Sequence, residues 1–291
     1  MTNVRVGRLA VCSMLLLTLA SCTGKPPVQK SAPPQIGPFL GRDRTITVGV
    51  KPDQPQLSQQ NGSRWDGFEI RLIDYLATKT GSNPIYTPVV TADRDSRLSN
   101  RQLHMIVANY SDTPQRRTKA ELVGPYMVTP QGILVRAGDT SIRSFAEMKG
   151  KSVCTTTDST SLDALKGAGI HISTQDRFEE CVKQLEGKQV NAVSTDLLIL
   201  YGFQHTSPKL AVALDRTSRP VEVPATASNK WMVGLQPGDG TDCQTVLNLV
   251  RSFLTDNTWE LNFNTWFPHV QQVYKDWSTR FKPKLESLGC Y

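Results

Sequence analysis

Ser159, Thr160 and Asp196 are the residues of this chain whose type and position could do chemistry. Ser159 and Thr160 stand just ahead of a predicted helix that begins at Ser161. Backbone N–H groups and a hydroxyl at such a place cradle an anion; the same serine would also serve as a plain helix cap. Asp196 closes the apolar run Ala192-Val193-Ser194-Thr195. That is the strand end at which α/β sheets present groups to ligands, and a cap for a helix from Leu197 onward is the competing role. Zinc chemistry finds no support, because the six cysteines contain no Cys-x-x-Cys unit and the four histidines are dispersed. No Ser-His-Asp set stands out either. Neither a metal, a cofactor nor a catalytic residue is expected.

The elements that must position these residues alternate. Thr45–Val50 is a β-branched strand, and Trp65–Ala77 carries a helical apolar stripe ended by Gly81. Strands follow at Ile85–Val90, Leu103–Ala108 and Gly132–Val135. The second half repeats the theme. Ser152–Cys154 and Val190–Val193 read as strands, Phe178–Leu185 and Cys243–Leu254 as helices, and Lys230–Leu235 as a further strand. Strand and helix in alternation with short connections predict α/β units with a largely parallel sheet. The chain is long enough for two lobes, each with its own core.

The N-terminus determines the compartment. Arg5 and Arg8 precede an apolar run from Leu9 to Leu19, too short for a permanent membrane span and suited to a secretion signal. Leu19-Ala20-Ser21-Cys22 resembles a bacterial lipobox, which implies cleavage before Cys22 and lipid on that cysteine. The mature chain is then extracytoplasmic and anchored to the cell membrane. Pro26, Pro27, Pro33, Pro34 and Pro38 make the next stretch a semi-extended tether. Cys154, Cys181, Cys243 and Cys290 remain, an even number that suits two disulfides in an oxidising compartment. Four cysteines allow three pairings; the one nearest in sequence joins Cys154 to Cys181 and Cys243 to Cys290. The net charge of +7 is scattered, with Arg116-Arg117 the only adjacent basic pair, which excludes a nucleic-acid partner.

From Gly49-Val50-Lys51-Pro52-Asp53-Gln54-Pro55 onward the chain resembles the amino-acid-binding lipoproteins of ABC importers, solute-binding protein family 3, of the glutamate and glutamine type. The motifs that carry the likeness are Trp65-Asp66-Gly67-Phe68-Glu69-Ile70, Thr113-Pro114-Gln115-Arg116, Gly124-Pro125-Tyr126, Gly132-Ile133-Leu134-Val135-Arg136, Asp158-Ser159-Thr160-Ser161 and Ala192-Val193-Ser194-Thr195-Asp196. The resemblance implies a two-lobed periplasmic-binding-protein-like α/β fold (type II), with two hinge crossings and the ligand in the cleft. It assigns residues 1–21 to the leader, 22–44 to anchor and tether, 45–135 plus 234–291 to lobe 1 and 136–233 to lobe 2. The crossings then fall near Val135-Arg136 and Val233-Gly234. His104, Gln115 and Arg71 depart from the family pattern.

The resemblance also implies a ligand set. A buried amino acid needs partners for its carboxylate and its ammonium, or each charge costs several kcal/mol. Arg116 matches the arginine that grips the α-carboxylate through paired guanidinium donors, and Ser111 a hydroxyl that assists it. Asp196 matches the aspartate that pairs with the ammonium, with the main-chain carbonyl of Asn109 as a further acceptor. Arg94, in Thr91-Ala92-Asp93-Arg94, and Lys51 are placed for a side-chain carboxylate or amide. The expected protein is a monomer that delivers glutamate, aspartate, glutamine or asparagine to an ABC permease. A sensor module signalling to a membrane receptor or kinase would use the same site, and an enzyme on this fold is the third reading.

Overall fold

The computed structural model describes residues 38–224, 230–238 and 240–291. The leader, Cys22 and most of the tether lie outside the described residues. The expected tether ends earlier than residue 44, because Phe39 and Leu40 are buried and their N–H groups donate to the Asp242 carboxylate at 2.8 and 3.2 Å. They form the first apolar pair after the prolines, and a core face is close enough to bury it.

Two sheets carry the fold. In the first lobe, β1 (Thr45–Val50), β2 (Asn83–Pro88), β3 (Met105–Ser111) and β4 (Glu121–Val128) come first in the chain. The second lobe contains β5 (Gln131–Arg136), β6 (Ser152–Thr156), β7 (His171–Gln175), β8 (Ala192–Asp196) and β9 (Leu210–Val212). β10 (Lys230–Leu235) and β11 (Gly289–Cys290) return to the first. The sheet orders are β11-β4-β10-β3-β1-β2 and β7-β6-β8-β5-β9. Parallel pairing holds at β1 with β2 and β3, and at β6 with β7 and β8. The strands that enter and leave the second lobe, β5 and β10, run antiparallel to their neighbours, so the sheets are mixed rather than largely parallel.

That pairing also moves the crossings. β5 lies wholly in the second sheet and β10 wholly in the first, so the chain crosses between Val128 and Gln131 and again between Val223 and Lys230. Apolar runs such as Ile133–Val135 have the same pattern in either sheet, which is why the crossings near Val135-Arg136 and Val233-Gly234 were misplaced.

Helices cover the sheets. α1 (Phe68–Thr80) buries Phe68, Ile70, Leu72, Ile73, Leu76 and Ala77, and stops at Gly81, whose left-handed φ of 71° lets its N–H close on Ala77. Trp65 is not in that helix. It belongs to a three-stranded hairpin sheet, Asp53–Gln54, Ser58–Asn61 and Arg64–Asp66, whose polar residues hid it in the sequence. The helices α2 (Arg94–Ser99), α3 (Pro114–Arg117), α4 (Thr160–Leu165), α5 (Phe178–Glu186) and α6 (Leu197–Thr206) follow, and α7 (Thr241–Thr255), α8 (Thr258–Trp266) and α9 (Pro268–Val273) complete the first lobe. Among the described residues no helix is long and apolar enough to cross a membrane.

Disulfides join Cys154 to Cys181 and Cys243 to Cys290. The first ties β6 to α5 inside lobe 2. The second closes 47 residues and fixes β11 to α7. Cross-linking a loop of that length restricts the unfolded chain by about 4 kcal/mol in the entropic account. Replacing Cys243 and Cys290 with serine should lower unfolding free energy in urea by about 2–4 kcal/mol; an unchanged midpoint would show that this disulfide does not contribute.

Candidate ligand-binding site

The ends of β1, β3 and β8 and the starts of α2, α3 and α4 meet where the lobes face each other. Lys51, Arg94, Asn109, Ser111 and Arg116 from lobe 1, with Ser159, Thr160 and Asp196 from lobe 2, line one space. The structure thus brings all eight expected residues together. The lobes are shut on one another, for the space is only about 30 Å³, room for about two waters.

Arg94 and Arg116 are built into the wall. Arg94 donates through Nε to the Thr91 carbonyl at 3.2 Å and through Nη1 to the carbonyls of Ala108 and Asn109 at 2.5 and 3.2 Å. The Asn109 carbonyl is therefore shared with a guanidinium rather than reserved for an ammonium. Arg116 donates to the Ser111 carbonyl at 2.8 Å, and its Nε lies 3.7 Å from Asp95. Both guanidinium carbons sit near the Tyr110 ring, at 5.3 and 4.8 Å from its centroid, and the Tyr110 hydroxyl donates to Asp95 at 2.7 Å. Cation and ring attract through the ring quadrupole. α3 begins with Thr113 as its cap, accepting from the Arg116 N–H, and with Pro114 in its first turn, so the turn that carries Arg116 is fixed by local sequence. Arg117 points elsewhere, paired with Asp112 at 2.6 Å.

Lys51 donates to the Thr91 hydroxyl at 2.7 Å and is 3 % exposed. Burial, and then the Arg94 charge, bring its pKa down to about 7. Burial likewise takes Arg94 to about 10, with Arg116 adding to the effect. Two arginines and a readily neutralised lysine thus share one buried space, with Arg94 between the other two charges.

Asp196 settles its competing roles by geometry. It occupies the cap position of α6 yet makes no side-chain cap bond. Instead its carboxylate accepts from the indole N–H of Trp231, across the lobes, at 2.8 Å. Burial pushes its pKa up to about 6, against the opposing pull of Trp231, Arg116 and Arg94. Ser159 does the reverse: its hydroxyl caps Leu162 N–H at 3.0 Å and donates to the Thr156 carbonyl at 2.8 Å. The serine hydroxyl is spent on the helix, and with it the Leu162 N–H of the first turn. Thr160 accepts from Gln131 at 3.2 Å.

Several residues of the site were not singled out from sequence. Glu69, fully buried, accepts from both the backbone and side-chain N–H of Asn109 at 2.8 and 2.9 Å and from the Tyr126 hydroxyl. It holds Asn109 at a left-handed φ of 50°, and burial brings its own pKa up to about 7. Gln54 lines the space with its side-chain oxygen buried and unpartnered. Trp231, Gln54 and Glu69 reach the site from separate parts of the chain; Gln54 and Glu69 fall within quoted motifs but had no role assigned, and Trp231 fell in none. His104 is peripheral, bonded through its ring to the Thr47 N–H at 3.0 Å.

Across the cleft itself few polar contacts join the lobes. Besides Asp196 with Trp231, Thr91 reaches Thr156 at 3.5 Å, the Glu179 N–H reaches Asp53 at 3.4 Å, and Arg177 lies 3.9 Å from the same carboxylate. Gly202 of α6 comes so near the Pro55 carbonyl that a Cβ there would lie 2.3 Å from it.

The family profile of bacterial extracellular solute-binding proteins, family 3, matches residues 46–269. The chain belongs to that family. It is similar to the glutamate-binding protein GluB of Corynebacterium efficiens, 30% identical over 169 residues, a match that spans 54% of this chain and 58% of that protein. It is also similar to GluB of Corynebacterium glutamicum, 26% identical over 68% of this chain and 70% of that protein. Among solved structures it resembles an ancestral arginine-binding protein bound to arginine, with a TM-score of 0.66 and 23% identity over 77% of this chain and 98% of the other. A likeness at that identity carries the fold alone.

For this solute-binding protein the buried carboxylate has a consequence for stability. A folded pKa of about 6 for Asp196 exceeds the unfolded value of about 3.9. Folding therefore favours the protonated form, and stability is lost as pH rises through 6. Asp196→Asn keeps an acceptor for Trp231 without the charge. The ligand-free variant should be more stable than the parent at pH 7.5, by about 2 kcal/mol, with the gap closing by pH 4. Denaturant titrations at both pH values measure it, and a variant less stable at pH 7.5 would overturn the assignment.

Proposed function

We propose that this chain is the lipid-anchored, extracytoplasmic binding component of an ABC importer and that it captures an acidic amino acid, glutamate or aspartate. One observation carries the choice of ligand: three cations, Lys51, Arg94 and Arg116, line a space with one carboxylate, Asp196. An amino acid with a charged side-chain carboxylate brings two negative charges and one positive, and so offsets more of that excess than an amide does. A cationic side chain would add to the repulsion. The similarity to two glutamate-binding proteins supports the same class.

In this reading the Arg116 guanidinium takes the α-carboxylate, helped by the Ser111 hydroxyl and the first-turn N–H groups of α4. Asp196 takes the ammonium. Lys51 and the remaining arm of Arg94 take the side-chain carboxylate. Micromolar binding needs about 8 kcal/mol, nearly 1 kcal/mol per heavy atom for so small a ligand, close to the ceiling for tiny ligands. The lobes must part to admit the ligand and shut to reach that figure. The chemistry asked of the site is capture and release without bond cleavage.

Isothermal titration of refolded protein with glutamate, aspartate, glutamine and arginine tests the reading. Glutamate or aspartate should bind most tightly, and Arg116→Ala should weaken binding at least 100-fold. Lys51, half-neutral near pH 7 in the ligand-free site, should take up a proton when a carboxylate arrives. The binding heat at pH 7.5 should therefore vary with the ionisation enthalpy of the buffer, and Lys51→Met should reduce that variation. Selection of arginine would discard the acidic ligand while keeping the binding role.

The anchor is tested separately. Cys22→Ser should move the protein from the membrane to the soluble fraction of cells, and continued membrane association would exclude lipid on Cys22.

A further inference from the structure

The family match stops at residue 269, but the chain continues to Tyr291 and the continuation is packed. It is fastened to lobe 1. Trp277 and Phe281 stack on Phe263 of α8, with ring separations of 5.0 and 5.7 Å. The Phe281 carbonyl accepts from the Val128 N–H at 2.9 Å, on the last residue of β4 before the first crossing. β11 pairs with β4, and Cys290 is bonded to Cys243.

The same end of the chain also grips lobe 2. His269 of α9 stacks on His205 of α6, with centroids 4.6 Å apart and planes at 13°. Tyr274 meets Tyr201 of α6 edge-on at 6.2 Å. Arg280 donates to Glu222 at 2.6 Å, on the two-residue strand that precedes the second crossing. One short segment therefore touches both lobes beside both crossings.

We propose that residues 269–281 form a clasp across the hinge and that this clasp sets the balance between open and closed lobes. The state of its polar atoms argues for an interface that parts. The Tyr201 and Tyr274 hydroxyls lie close enough to interact, as do Tyr274 with Arg280 and the His269 ring with the Tyr201 backbone, yet none of these contacts reaches ordinary hydrogen-bond geometry. A permanent seam would pair such groups with good geometry, since poorly bonded buried polar groups destabilise it. Opening lets water reach them. A cavity of about 800 Å³ borders the seam at Arg143, Arg219, Glu222, Tyr274 and Arg280, which gives water a route in. Ring contacts and one ion pair favour closure, and the poorly bonded polar groups favour opening. Opposed contributions of this kind make a two-state element. In this structure the lobes are shut and all three contacts are made, so the clasp belongs to the closed form.

Apparent ligand affinity scales with the fraction of protein that is closed, so the clasp tunes affinity without touching the ligand. The proposal does not depend on which amino acid binds, and its test uses no ligand. Small-angle X-ray scattering of the ligand-free chain should show a larger radius of gyration for Arg280→Glu than for the parent. His269→Ala should move it in the same direction. The double exchange Arg280→Glu with Glu222→Arg should return it to the parent value, which a general loss of packing would not do. A radius unchanged in Arg280→Glu, or not recovered in the double exchange, would overturn the clasp. Should no amino acid bind at all, these radii still decide the point.

Discussion

Two buried arginines and a buried lysine around one small space constrain the site. Arg94 repels both Arg116 and Lys51, and burial strips the solvent that would normally screen them and weakens the charge on Lys51. The fold answers with groups that have nowhere else to go. The carbonyls of Thr91, Ala108, Asn109 and Ser111 face the guanidinium groups because β3 ends there and α2 and α3 start nearby. Tyr110 lies close to both arginines, and Asp95 bonds its hydroxyl. None of these partners neutralises all the charge. In the proposed reading that residual positive charge is what an acidic ligand offsets.

Much of this was legible because the residues that carry charge lie in short local frames. Thr113-Pro114-Gln115-Arg116 encodes a capped turn, and the turn fixes where the arginine points. The alternation of apolar strands and helices was enough for the α/β class, and Cys154 with Cys181 and Cys243 with Cys290 were the pairs nearest in sequence. What escaped depends on partners far along the chain. Trp231 reaches Asp196 over 35 positions and from the other lobe, so neither residue's neighbours reveal it. Glu69 orders Asn109 over 40 positions. The crossings were misplaced by a few residues because the middles of β5 and β10 are apolar and would suit either sheet. Ser159 illustrates a different limit: one hydroxyl could cap a helix or bind an anion, and only the observed bond to Leu162 separates the two.

Closure of the cleft is weakly supported by direct contact between the lobes. The bond between Asp196 and Trp231 is short, but those at Thr91 with Thr156 and at Asp53 with Glu179 are near the outer limit of hydrogen bonding. The approach of Gly202 to Pro55 contributes shape rather than attraction. Such an interface is marginal by itself, which suits a protein that must release what it captures. Strong contacts between the lobes would keep them shut whether or not a ligand were present, and a ligand can shift the balance only by binding one state better than the other.

The C-terminal segment bears on that balance from outside the cleft. It is joined to lobe 1 by a disulfide, by strand pairing and by aromatic stacking, all of which resist motion. It is joined to lobe 2 by one ion pair and by ring contacts whose polar atoms are poorly bonded. This asymmetry has a direction. When the lobes move, the segment stays with lobe 1 and slides against α6, the helix whose first residues follow Asp196. In the proposed reading, ligand contact at Asp196 and clasp contact further along α6 would act on the same rigid element.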